Sequence, residues 1–550
     1  MNAVVMNASD AIELALTIVL CGIALCWRPY LAPAAARLAE RPRTCLAIVA
    51  TLPLVLRLAL LAAHPVPAPS NYDEFSHLLV TDTLLNGRLA NPAHSFARFF
   101  ETFFVLQQPT YSSIYPPGLG FSMAVGRLLF GLPWAGVLLT TASFAAACYW
   151  MLRAWTTPVW ALGGGVLAAL TFGPLSPWMN TYWGGSWTAT AGCLVFGALP
   201  RLRERASLRD GALLGIGLGM HLLSRPFETV FLVLAVAFYR PRGRPLMFAA
   251  LIFLAAASVT LLQNKRVTGE WLTSPYVVSQ YQYGVPAPLT FQTKPVPHRE
   301  LTPGQERDYQ MQAGFRSAWF PRLATRVRSY RFYFYPPLYL ALAAFLFTLR
   351  RAPQSRYVAL VCLLFALGTN FFPAFRYHYI GGIVCLFMLM AVEGMRAAPA
   401  PAARWLLAFA FLHFTFWYGA HAGESSLTTW DAWNGINHPG SPRTAVASEL
   451  ASIPGDLLVF VRYWPAHIFQ DEWVWNDADI DRSRVIFARD LGNTENLQLV
   501  RNYQGRTVLL LEPDAKPTRL SVWAPEPTTP VSSPSPASAT NQRDPFEPVR

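Results

Sequence analysis

Charge is scarce in this chain of 550 residues. Only 14% of residues are charged and 53% are hydrophobic, whereas soluble domains carry about 25% charged residues. Apolar runs of membrane length recur from Ile12 to Ala420, separated by short basic loops. Cysteine is also scarce. All seven (Cys21, Cys26, Cys45, Cys148, Cys193, Cys362, Cys385) lie in or beside apolar segments. They make no metal-like spacing and offer the soluble parts no disulfide framework. The N-terminus lacks a basic residue before its first apolar run, which argues for a retained helix over Ile12–Trp27 and against a cleaved signal peptide. No basic face for nucleic acid is present either. The net charge of +13 comes from arginines clustered between apolar runs, such as Arg201, Arg203 and Arg205, or Arg350 and Arg351. Short loops of that kind belong on the cytoplasmic side.

What is present reads as an α-helical polytopic membrane protein with about 11–13 membrane helices and a small C-terminal α/β domain outside the cytoplasm. The division is: 1–43, an N-terminal helix and a basic cytoplasmic loop; 44–421, a transmembrane domain with outer loops 64–117 and 264–331; 422–444, a linker; 445–513, the α/β domain; 514–550, a disordered tail rich in Pro, Ser and Thr. Both termini then lie outside. Gly118–Phe130, after YPPG, fits a half-inserted or surface helix. Gly211–Tyr239 is cut by Ser224-Arg225-Pro226-Phe227-Glu228 into halves too short to cross alone, so it reads as a broken or re-entrant element. Charged residues at such a depth are costly and are paired or functional. Arg225 and Glu228 satisfy either reading: a pair that stabilises the turn, or part of a site. In the C-terminal part, NDADID places Asp477, Asp479 and Asp481 at alternate positions but lacks the glycine and closing glutamate of a calcium loop.

The stretch SNYDEFSHLL, at 70–79, puts Asp73 and Glu74 directly after an apolar run. The pattern that follows suits an amphipathic helix on the membrane surface. Asn71 or Asp73 could cap it, and acids in the first turn favour the helix dipole. The functional reading is catalysis at the lipid–water boundary. A carboxylate there can take the proton of an acceptor hydroxyl as it attacks a sugar carbon, and a lipid-phosphate leaving group needs cationic partners. Arg225, Arg376 and His378 fall on the same side. His77, one helical turn from Asp73, could orient it or share a divalent metal with it. Tyr182 and Trp183, in NTYWGGSWT, suit interface anchoring or sugar stacking, and FRYHY at 375–379 equally suits an aromatic belt.

With these residues in place, the chain resembles the GT-C superfamily of membrane glycosyltransferases, near the bacterial family 39 group of protein O-mannosyltransferases and aminoarabinose transferases. The matching features, over roughly residues 44–420, are the Asp73-Glu74 pair in the first outer loop, the helix after it, YPPGLG from Tyr115, and the hydrophobic ladder. The resemblance implies a polyprenyl-phosphate sugar donor, an acceptor lipid, glycan or protein, transfer on the outer face of the bacterial inner membrane, and inversion at the anomeric carbon. It implies that Asp73 activates the acceptor and that Glu74 supports it. Relatives often carry a basic residue before the Pro-Pro. Tyr115 stands there instead, leaving phosphate binding to Arg225 and to Arg376 and His378. Two other readings stay open: a transporter or flippase of an amphipathic substrate, and an O-antigen polymerase or ligase using arginines between Arg316 and Arg331.

Overall fold

The computed structural model describes residues 8–241, 243–314, 318–334, 336–421, 436 and 441–525. The chain opens with α1 (Ala8–Ala39) and α2 (Pro42–Ala59). The sequence pattern stops the first helix at Trp27 and makes 28–43 a loop. The helix instead runs on to Ala39. The segment APAAARLA is rich in strong helix formers, which outweigh Pro29 and Pro33.

Next come α3 (Tyr72–Leu85), α4 (Pro117–Phe130), α5 (Pro133–Leu152), α6 (Pro158–Thr171), the single turn α7 (Pro177–Asn180) and α8 (Ser186–Glu204). Then follow α9 (Leu208–Leu222), α10 (Pro226–Tyr239), α11 (Arg244–Thr268), α12 (Pro275–Tyr283), α13 (Pro303–Gly314) and α14 (Trp319–Ser329). The bundle closes with α15 (Tyr339–Thr348), α16 (Pro353–Thr369), α17 (Val384–Ala397) and α18 (Ala400–His421). Among the described residues, five helical stretches are long and apolar enough to cross a bilayer: Ala11–Ala39, Pro42–Ala59, Pro133–Leu152, Arg244–Thr268 and Tyr377–Ala397. Four shorter apolar helices, α4, α6, α10 and α15, join them. These nine fall below the 11–13 read from the sequence, because α8, α9, α16 and α18, which carry the remaining apolar runs, are too short or not apolar enough to be counted with them. The chain is a multi-pass membrane protein. Its helix α11 turns Met247, Leu251 and Leu254 outward, as lipid contact requires.

The expected break in Gly211–Tyr239 lies at Leu223–Arg225, between α9 and α10. Pro226 at the first position of α10 explains it, since proline starts a helix but cannot continue one. Small residues bring the site-bearing segments together. A Cβ on Gly192 of α8 would lie 1.8 Å from the Gly382 carbonyl oxygen, and one on Gly120 of α4 would lie 2.3 Å from the Val80 side chain. Only glycine lets segment 377–383 seat on α8, and α4 cross α3, this closely.

A polar layer covers the bundle end where these segments meet. Strands β1 (Asn91–Pro92), β2 (Val105–Leu106) and β3 (Thr110–Ser113) form a small antiparallel sheet in the order β1-β3-β2. The C-terminal domain follows: α19 (Pro442–Ser452), β4 (Leu457–Val461), β5 (Val485–Arg489), α20 (Asn493–Asn502), β6 (Thr507–Glu512) and β7 (Arg519–Val522). The sheet order is β5-β4-β6-β7. Strand β4 runs parallel to β5 and β6, as the strand–helix–strand alternation predicts, and β7 is antiparallel to β6. Strand β7 corrects the domain end expected at 513. Leu520 packs on the domain core and Trp523 on its other side. Most of the expected linker, and the tail from 526, lie outside the described residues.

All five residues of β4 are buried, so the sheet is covered on both faces. On one face Leu457, Val459 and Val461 pack with Val446 and Leu450 of α19. On the other, Leu458 and Phe460 join Phe99, Phe100, Tyr111 and Leu79 of the membrane domain in one core. This contact changes the picture of α3. The sequence pattern suits a membrane-surface helix, yet α3 is buried on nearly every side, from Glu74 to Thr83. The C-terminal domain and α4 cover the face that lipid would have covered.

Candidate active site

The geometry begins at the N-terminus of α3. Asn71 is the cap: its Oδ1 accepts the Asp73 amide at 2.8 Å. Glu74 completes a capping box. Its Oε2 accepts the Ser70 and Asn71 amides at 2.9 and 3.1 Å, and its Oε1 accepts the Tyr182 amide at 2.8 Å. Both Glu74 oxygens are therefore spent on backbone, and the residue ties α3 to the loop before α8. Burial raises its pKa, while these amides and the nearby Arg443 oppose the rise. Tyr182 is likewise used in packing. Its hydroxyl donates to the Pro67 carbonyl at 2.9 Å and its ring is buried.

Asp73 differs from its neighbour. It is half-buried. The Tyr115 hydroxyl donates to its Oδ1. Its Oδ2 has no hydrogen-bond partner among the described residues and is not sealed from solvent. Burial pushes its pKa up to about 6, against the opposing pull of the Tyr115 hydrogen bond and of Arg376 and Arg225. A carboxylate at that value is charged at neutral pH and basic enough to accept a proton.

Tyr115 is fixed in turn. Its amide donates to Ser113 Oγ at 3.1 Å, and its carbonyl accepts from Gln263 of α11 at 3.0 Å. Ser113 Oγ also pairs with Ser76 Oγ at 2.7 Å, which fastens α3 to β3. The His77 ring stacks on Tyr115 at 4.2 Å between centroids. His77 therefore does not orient Asp73. Its Nδ1 is buried without a partner, and burial together with Arg225 pushes its pKa down to about 3, so the ring is neutral. No group of three or more His, Cys, Asp or Glu side chains that could hold a metal occurs among the described residues.

Two arginines from distant parts of the chain reach the same place. Arg225 lies at the break before α10, its guanidinium 4.3 Å from the Tyr379 ring centroid. It makes no ion pair within 4 Å among the described residues, so a tight turn-stabilising pair with Glu228 is not what the structure contains. Glu228 is buried, close enough for electrostatic influence. Arg376 starts the turn Tyr377–Ile383, which carries His378. The His378 ring lies 5.2 Å from that of Trp183. Arg326 of α14 fixes this segment from behind, donating to the carbonyls of Phe372 and Pro373 at 2.7 and 3.2 Å, and Arg322 donates to the Asn370 carbonyl at 3.3 Å.

Asp73, Tyr115, Arg225, Arg376 and His378 are thus gathered, with Trp183 beside them; Glu74 and Tyr182 form the support behind. Sequence reasoning missed two members. Tyr276 of α12 packs edge-on against Tyr115 at 6.0 Å. Asp308 of α13 is fully buried, accepts two contacts from the Gln312 amide at 3.0 Å, and has its pKa pushed up to about 7 by burial and by the neighbouring Asp73. Both lie in the long polar loop 264–331, where no periodicity singles them out.

Solved structures with a similar arrangement of the chain include the following three. ArnT from Cupriavidus metallidurans in the apo state matches with a TM-score of 0.47 at 12% identity, over 87% of this chain and 93% of that one. The archaeal oligosaccharyltransferase AglB from Archaeoglobus fulgidus, in complex with an inhibitory peptide and a dolichol-phosphate, matches with a TM-score of 0.40 at 12% identity, over 86% and 69%. The apo form of the A. fulgidus enzyme matches over 77% of this chain and 62% of its own, with a TM-score of 0.39 at 12% identity. The present chain therefore spans about three fifths of that structure's length. No protein-family model and no curated sequence matches it.

Proposed function

We propose that this protein is an integral-membrane glycosyltransferase that moves a sugar from a polyprenyl-phosphate donor to an acceptor hydroxyl, with Asp73 as general base. The observation that carries the reading is Asp73 itself. One of its oxygens is held by Tyr115, the other is free, and Arg225 and Arg376 stand within electrostatic reach. In the proposed step the acceptor oxygen attacks the anomeric carbon and its proton passes to Asp73 Oδ2. The bond from that carbon to the donor phosphate oxygen breaks, and the lipid phosphate leaves toward Arg225 and Arg376. Attack opposite the leaving group inverts the configuration. Glu74, with both oxygens engaged, holds the helix rather than taking a proton. His378 and Trp183 line the place for the donor headgroup.

The proposed location is the outer face of a bacterial inner membrane, with both chain termini on that side, since the polar layer and the C-terminal domain share one end of the bundle with the site. The polymerase or ligase reading loses support because Arg322 and Arg326 are committed to backbone carbonyls. The transporter reading has one broken element, α9–α10, and no paired counterpart among the described residues.

The test is transfer of labelled sugar from polyprenyl-phosphate donors by purified protein, with a cell extract supplying acceptors. Transfer by wild type and none by Asp73→Asn is the expected outcome. Equal transfer by both removes the general-base role. No transfer by wild type across a broad donor panel removes the enzyme reading.

A further inference from the structure

The C-terminal domain places a half-buried cation, Arg443, against the first turn of α3. Arg443, in the first turn of α19, lies between two aromatic faces, 4.9 Å from the Phe75 ring centroid and 4.3 Å from that of Trp473. Its Nη2 pairs with Asp471 at 2.6 Å, donates to the Glu472 carbonyl, and reaches the Ser70 carbonyl at 3.5 Å. Ser70 and Phe75 bracket the turn that carries Asp73 and Glu74. The same domain stacks Trp475 on Phe75 at 4.9 Å and lays Phe469 parallel to Tyr72 at 6.4 Å. The residues on either side of the Asp73-Glu74 pair are therefore both packed by the C-terminal domain. Behind this contact Glu472 is itself rigid: it accepts the Trp473 and Val474 amides and pairs with Arg489, which donates on to the Glu101 carbonyl.

We propose that Arg443 is a positioning residue, which fixes the first turn of α3 so that Asp73 presents Oδ2 to the substrate, and that the C-terminal domain is by this contact a part of the catalytic centre rather than an appended module. The inference rests on the reading of Asp73 as the base. A fixed helix turn matters because a displacement of about 1 Å in a reacting group can cost about a hundredfold in rate.

The experiment compares wild type, Arg443→Gln, Arg443→Lys and Arg462→Gln in full-length purified protein. Arg462 pairs with Asp490 inside the domain and serves as the control. Two quantities are read: steady-state transfer kinetics, and hydrogen exchange of the amides at 70–74. Arg443→Gln is expected to lower kcat by about tenfold to a hundredfold with donor KM within about twofold, and to speed exchange at 70–74. Arg443→Lys, which keeps the cation between the two rings, recovers part of both, and Arg462→Gln matches wild type. Unchanged exchange in Arg443→Gln overturns the proposal, as does faster exchange with unchanged kcat. Equal losses in Arg462→Gln also overturn it, because they reduce the effect to domain stability. If wild type transfers no sugar, the functional reading falls, and with it the catalytic role of Arg443. Exchange then still decides whether Arg443 fixes the turn.

Discussion

Tyr115→Phe removes one hydroxyl from the site and leaves the ring that stacks on His77 in place. The lost contact is a hydrogen bond to a charged carboxylate, worth about 1.5–3 kcal/mol. At 1.36 kcal/mol per pKa unit, its removal raises the pKa of Asp73 by about 1–2 units. The starting value is about 6. The base form works only when ionised, so turnover rises with pH through the pKa and levels above it. Wild-type kcat/KM therefore climbs through about pH 6. In Tyr115→Phe the rise moves to about pH 7–8, and turnover at pH 7 falls about two- to tenfold. Above pH 9 the two proteins converge, which separates this effect from misfolding. The assay is labelled-sugar transfer between pH 5 and 10 at subsaturating donor. A rising limb that stays in place, or moves to lower pH, refutes the claim that the Tyr115 phenol stabilises the Asp73 carboxylate.

Two further outcomes follow from the same geometry. Arg225→Gln removes a cation that has no ion-pair partner among the described residues, and is expected to lower kcat about a hundredfold in the transfer assay. Arg225→Lys recovers part of this by restoring the charge without the flat face over Tyr379. Glu74→Gln turns an amide NH₂ toward one of the three backbone amides that Glu74 now accepts, costing about 1–3 kcal/mol. It is read as a lower melting midpoint in detergent, with the pH at which turnover rises moved slightly lower, because the Glu74 charge helps to raise the Asp73 pKa.

The site was legible in the sequence where chemistry conflicts with hydrophobic surroundings. Asp73, Glu74, Arg225 and Arg376 stand out because charge beside or inside an apolar run is costly. The capping alternative was also legible, since Asn71 and Glu74 carry the spacing of a capping box. What the spacing could not give was how these residues share the work. The interval from Asp73 to His77 suggests a pair along one helix face, but Tyr115, 42 positions away, takes the carboxylate and stacks on the histidine. Tyr276 and Asp308 lie in a stretch with no period to mark them. Arg443 falls in what composition makes a linker. The burial of α3 was hidden for a related reason. Its apolar residues suit lipid and protein equally, and only the placement of the C-terminal domain against Leu79 and Phe75 decides between them.

Adjacent carboxylates in a low-dielectric setting repel each other, and each needs either partners or a proton. This protein resolves the conflict by treating them unequally. Glu74 receives three backbone amides and lies close to Arg443, so its charge is absorbed by the framework. Asp73 receives one phenol and keeps one oxygen open. Its charge is held by two arginines that come from a helix break and from a turn seated on glycines, both at the bundle end. In the proposed mechanism the arginines serve in two ways. Before the reaction they stabilise the Asp73 carboxylate. During the proposed step, as Asp73 takes a proton and loses its charge, the negative charge would appear on the departing phosphate instead. The net charge facing Arg225 and Arg376 is then conserved through the step, and no cation has to be desolvated or exposed to complete it. A site built this way needs its geometry held from outside the membrane. The buried contacts of the C-terminal domain on Tyr72 and Phe75 provide that hold.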